Sequence, residues 1–136
     1  MTALAGCGGA ADERLTREEW IASADAICAD ANRELNALAE PTTPAELAER
    51  TSEAVEISER QLDRLRDLRP PEEAEDDYAT MLDLTQEQVE AARGIVEAAE
   101  SRDAAAVEEL LGDVQSLGNE AGVLAAEYGF EECGAE

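Results

Sequence analysis

Leu15–Cys28 reads LTREEWIASADAIC, and this stretch decides the fold class. Thr16 followed by Glu19 is a capping box: the threonine side chain accepts from the Glu19 amide, and the glutamate reaches back to the Thr16 amide. Leu15 and Trp20 stand at the N′ and N4 positions, where a hydrophobic staple closes the first turn. Beyond the cap, Trp20, Ala24, Ile27, Ala31, Leu35 and Leu38 recur at steps of three and four. That period belongs to a helix with one apolar face, and the helix is predicted to stop before Pro41.

Working outward, the same grammar recurs three times, and no segment alternates as a strand does. Thr43 caps a second helix with Pro44 at N1 and Glu46 at N3. Its stripe runs through Leu47, Ala54, Ile57 or Ser58, Gln61 or Leu62, Leu65 and Leu68. Pro70 and Pro71 end it and open a third, with Ala74, Tyr78, Leu82, Thr85, Val89, Ala92, Val96 and Ala99 inward. Asp103 caps a fourth, which carries Val107, Leu110, Leu111, Val114, Leu117, Ala121, Leu124, Ala125 and Tyr128 and ends at Gly129, a residue suited to C′. Helices of about 23 residues would each be some 35 Å long. Short connections make neighbours antiparallel. The predicted architecture is all-α: an up-down-up-down four-helix bundle over residues 16–136, preceded by a lipobox remnant and flexible tether over 1–15.

This topology places Tyr128 beside Trp20 and leaves the tail about 12–15 Å from Cys28. Four extended residues span about 13 Å, so a Cys28–Cys133 disulfide tying the tail to the first helix is within reach. Parity points the same way. Of the three cysteines, Cys7 closes "LAGC", a bacterial lipobox in which small residues precede the lipid-bearing cysteine. Lipidation of Cys7 would leave the other two to pair. The alternative is an accidental box and two unrelated thiols in a cytosolic protein. It has to explain a cysteine in the polar tail FEECGAE, where a thiol would be exposed to oxidation. A lipobox also implies a charged and apolar signal segment ahead of it, expected to precede Met1.

Composition excludes much. Thirty-four acids face ten arginines, for a net charge of −24. That charge opposes nucleic acid and anionic headgroups and suits a solvated surface or cationic ligands. There is no histidine and no lysine. Histidine-based nucleophile activation, Schiff-base formation and a Walker-A loop are thereby removed. No catalytic residue, cofactor or metal site is therefore assigned.

Four features invite a sharper interpretation. The acidic run Glu72–Asp77 lacks the spacing of a calcium loop and fits the favourable N-terminal end of a helix. Arg60, Arg64, Arg66 and Arg69 suit pairing with Glu56, Asp63 and Asp67 along their own helix. Gly118 and Gly122 form a G-x-x-x-G interrupted by Asn119 and Glu120, which suits close approach of the first or third helix rather than a membrane pair. Asn32, Thr85, Gln88 and Gln115 either line an internal pocket or face the rim.

At ADAICADAN (Ala24–Asn32) and LAAEYGFEECG (Leu124–Gly134) the chain resembles a group of small actinobacterial lipoproteins and exported proteins of unknown function. The shared features are a cysteine in the first helix, a proline break before the third, and a closing Tyr-Gly…Cys-Gly. The resemblance implies an extracytoplasmic helical domain with Cys28 and Cys133 paired, and it assigns no activity. The expectation is a lipoprotein held by Cys7 at the outer face of the cell membrane. It would act as a non-catalytic binding or structural module for an envelope protein or a small ligand. A small secreted enzyme relying on Arg, Asp and Glu, as in all-helical chorismate mutases, would instead turn arginines into a cavity. A cytosolic partner-binding bundle would keep its thiols free.

Overall fold

The computed structural model describes residues 13–134, so Cys7 and its box lie outside the described residues. The elements are α1 (Arg17–Asn36), α2 (Pro44–Arg66), α3 (Glu75–Glu100) and α4 (Ala104–Tyr128), with a single 3-10 turn at Glu72–Ala74 before α3. Among the described residues there is no strand. The helices run alternately up and down as a four-helix bundle, and the tail is bonded to α1.

Three of the four helix starts follow from a side-chain cap; α3 instead grows out of the turn after Pro71. Thr16 Oγ1 accepts from the Glu19 amide at 3.2 Å, while Glu19 accepts from the Thr16 amide at 2.9 Å. Thr43 Oγ1 accepts from the Glu46 amide at 3.1 Å. The Glu46 carboxylate reaches one residue further back than in a standard box, to the amide and hydroxyl of Thr42. Those two donors hold its carboxyl below the ordinary range. Asp103 caps α4 through the Ala106 amide, and Gly129 closes it at φ +90°, a left-handed conformation that glycine adopts without penalty.

The densest packing lies at the upper end, where α1 and α3 begin and α2 and α4 finish. Trp20 is fully buried there. Its ring meets Tyr78, Tyr128 and Phe130 edge to face at 5.2, 5.3 and 4.9 Å. Ala24, Ile27, Leu65, Ala74, Met81 and Ala125 complete the cluster, and Leu15 packs on it as the staple requires. Arg14 bonds Glu75 at 2.9 Å, and the Leu15 amide bonds the Arg69 carbonyl, so the chain is already docked where α1 begins.

Two tyrosine hydroxyls tie this end together. Tyr78 donates to the Leu65 carbonyl at 2.5 Å and Tyr128 to Asp77 at 2.6 Å. Burial pushes the Tyr78 hydroxyl well above its ordinary value, with the nearby Trp20 indole offsetting a small part. The Tyr128 hydroxyl is raised by its bond to the Asp77 carboxylate. Both folded values exceed the unfolded one, so this stability is complete below about pH 10 and declines as pH rises above it. Urea unfolding at pH 10.5 should thus give a lower free energy than at pH 8. The decrease should be smaller in Tyr78→Phe, and an equal decrease in both proteins would refute the assignment.

Toward the lower end the packing thins. α1 has 20 residues against 26 in α3, a deficit of about 9 Å at 1.5 Å per residue. α3 packs along both α2 and α4, whereas α1 runs along α2 and meets α3 and α4 at the upper cluster through Trp20. Below the aromatic cluster the α4 stripe therefore lacks a second partner: Ala125, within that cluster, is the one buried residue of α4, and Leu111 stands 48% exposed. α3, lying between two helices, buries a wider face than its single stripe implied, adding Met81, Ile95 and Ala98.

The arginines of α2 depart from expectation. Near the end of α2, Arg60 and Arg64 bridge to Glu34 and Asp30 of α1, while Arg66 pairs along its own helix with Asp63, as Arg50 does earlier with Glu53. A helix pair joined by one narrow seam leaves acids of α1 closer to these guanidinium groups than the i,i+4 acids are. Being exposed, each pair contributes at most about 1 kcal/mol.

Candidate functional site

Between α1 and α4, below the aromatic cluster, the bundle does not close. The opening is a cleft of about 320 Å³ that touches all four helices, a volume at the small end of the ligand-site range. It exists because the inward positions at this level are small: Ala54 and Ser58 of α2, Ala92 of α3, Gly118 and Ala121 of α4. Leu35, Val55, Val89 and Val114 supply apolar wall, and Asn32, Gln61, Thr85 and Gln88 supply polar groups. Among the described residues no charged side chain lines it, although the chain bears −24.

Each polar group is oriented by the fold. Asn32 Nδ2 donates to the Glu132 carbonyl at 3.1 Å, and Gln88 Nε2 to the Val114 carbonyl at 3.1 Å. Gln61 Nε2 lies 3.4 Å from Cys28 Sγ. The Thr85 hydroxyl donates to the Met81 carbonyl at 2.9 Å. Each of the three amides spends one of its two N–H groups on the chain itself and keeps the other N–H together with its oxygen. Of the polar residues singled out in the sequence, Asn32, Thr85 and Gln88 meet here, and Gln115 lies exposed on α4.

The upper wall is the C-terminal tail. Cys28 and Cys133 are bonded, with an S–S distance of 2.06 Å and Cα atoms 5.1 Å apart. Asp25, one turn before Cys28, accepts the amides of Glu131, Glu132 and Cys133 at 3.0, 3.0 and 3.1 Å. Its side chain caps the tail as a helix cap would. Nothing in the sequence singles out Asp25, because one acid among 34 carries no periodic or motif signal. Gly134 has φ +80°, and a Cβ there would stand 2.7 Å from Gly122 Cα. Gly122 thus admits the tail rather than a neighbouring helix, correcting the sequence expectation. Gly118 lines the cleft instead.

Two further features lie apart. A groove of about 420 Å³ at the lower end, lined by Pro41, Leu47, Val107 and Leu111, marks where α1 stops short. The acidic run sits at the start of α3, where Glu75 pairs with Arg14 and Asp77 accepts from Tyr128. Among the described residues no group of three or more acids or cysteines is placed to hold a metal ion, and no helix is long and apolar enough to cross a membrane.

Comparison with family models, curated proteins and solved structures gives no match. What the described residues define is a disulfide-closed helical bundle with a cleft of neutral polar and apolar side chains.

Proposed function

We propose that this chain is the folded part of an extracytoplasmic lipoprotein, tethered to the outer face of the cell membrane through Cys7, and that it serves as a non-catalytic binding module of the cell envelope. The observation that carries the address is the Cys28–Cys133 bond, which fastens an exposed tail to α1. Such bonds persist outside the reducing cytosol. The arrangement that supports binding is the central cleft, where fixed neutral polar groups alternate with apolar wall. That composition is typical of small-molecule sites.

Intact mass spectrometry on the chain isolated from the membranes of its own cell tests this. The expected species carries a diacylglyceryl or triacyl adduct on Cys7, with the remaining two cysteines unreactive toward maleimide until reduced. A soluble species with three alkylatable thiols would end the proposal.

A further inference from the structure

The cleft accepts hydrogen bonds better than it donates them. Asn32, Gln61 and Gln88 direct N–H groups at the chain, and the Thr85 hydroxyl proton goes to Met81. Each amide still has one N–H and an oxygen with two lone pairs, and the Thr85 oxygen can only accept, so acceptor capacity exceeds donor capacity and a proton-rich ligand matches it best. The surrounding field has one sign: residues 70–136, which supply two of the four walls, hold 19 acids and two arginines. A narrow opening in a low-dielectric body concentrates such a field and raises the local concentration of cations. Apolar wall from Val55, Val89 and Val114 suits methylene groups between the polar contacts.

Resting on the binding-module reading above, we propose that the cleft binds a short aliphatic amine with cationic nitrogens at its ends, such as a diamine or a guanidino-amine. Neutral acceptors take the N–H groups, and the acidic shell balances the charge from a distance. An anion is repelled by that shell, and a neutral diol lacks the charge that draws a ligand in.

The full oxidised chain, titrated calorimetrically with putrescine and agmatine at low ionic strength, provides the test. One site per chain is expected, with at least tenfold weaker binding in Gln88→Leu and Gln61→Leu. Binding should stay within about twofold in the double variant Glu72→Gln, Glu73→Gln, which lowers the charge far from the cleft. 1,4-Butanediol and succinate should give no saturable heat. In the wild-type chain, amine should shift the side-chain amide NMR signals of Gln61 and Gln88, a readout that survives if a leucine variant misfolds. Multisite heats weakened mainly by the remote charge variant, equal binding of the diol, or shifts confined to surface carboxylates would overturn the proposal. The assay needs neither lipid nor membrane. Its failure removes the ligand class and leaves the cellular address standing, and an absent Cys7 adduct does the reverse.

Discussion

Trp20→Ala is expected to destabilise the domain by about 4–5 kcal/mol, at the upper end of the usual range for removing a buried aromatic. The whole margin of a domain this size is roughly 5–15 kcal/mol. The indole is fully buried and forms three edge-to-face contacts with rings from α3, from the end of α4 and from the tail. Each aromatic pair contributes about 0.5–1.5 kcal/mol beyond its burial, and one substitution removes all three. At roughly 4 °C per kcal/mol, the melting temperature should fall by about 15–20 °C. Helical circular dichroism is the readout, because the chain has a single tryptophan and the variant loses its fluorescence. Trp20→Phe should lose distinctly less. It keeps a ring in the slot and deletes an indole N–H that is buried without an acceptor, an unmet donor that itself costs free energy. Leu111→Ala, at a half-exposed site on the uncovered face of α4, should cost under about 1 kcal/mol. Similar losses from Trp20→Ala and Leu111→Ala would mean that the upper cluster is not the core.

The contrast between Trp20 and Leu111 also shows what the sequence could convey. Local signals marked three of the four helix starts, where Thr16, Thr43 and Asp103 act as caps, and Gly129 terminates α4; α3 starts without a side-chain cap. Periodicity identified one face of each helix. It could not say how many neighbours that face would have. α3 has two and buries residues beyond its stripe, while α4 has one along most of its length and leaves its stripe half-buried, with Leu111 exposed. The four-fold closure of the bundle depends on α1 reaching the lower end, and its length is set by Pro41 and the loop before Thr43. For the cleft, residue type was legible and orientation was not. Asn32, Thr85 and Gln88 differ from Gln115 only in the rotation of their helices about the bundle axis. Asp25 was invisible for another reason. Its role depends on where a tail a hundred residues away lands, a tertiary fact with no local trace.

That landing point gives the second large effect. Replacing Cys28 and Cys133 with serine, or reducing the oxidised chain, is expected to cost up to about 4–5 kcal/mol, the loop-closure value for a bond spanning 105 residues. Urea unfolding with and without reductant measures it, and coincident transitions would show the bond to be energetically idle. The bond and Asp25 hold the same five residues, so their effects must not add. In the oxidised chain the tail cannot leave α1, and Asp25→Ala strands three amides near their former acceptor, a loss of about 1.5–3 kcal/mol for charge-assisted bonds. In the double-serine chain the tail is free to undock and hydrate those amides, so Asp25→Ala should cost markedly less. Hydrogen exchange at Glu131, Glu132 and Cys133 separates the contributions. Protection should weaken with Asp25→Ala alone, and should collapse when the disulfide is removed as well. Undocking would also withdraw Gly134 from the wall of the cleft and release Glu132, whose carbonyl fixes Asn32, so oxidation of one cysteine pair bears on both the stability of the domain and the shape of its binding site.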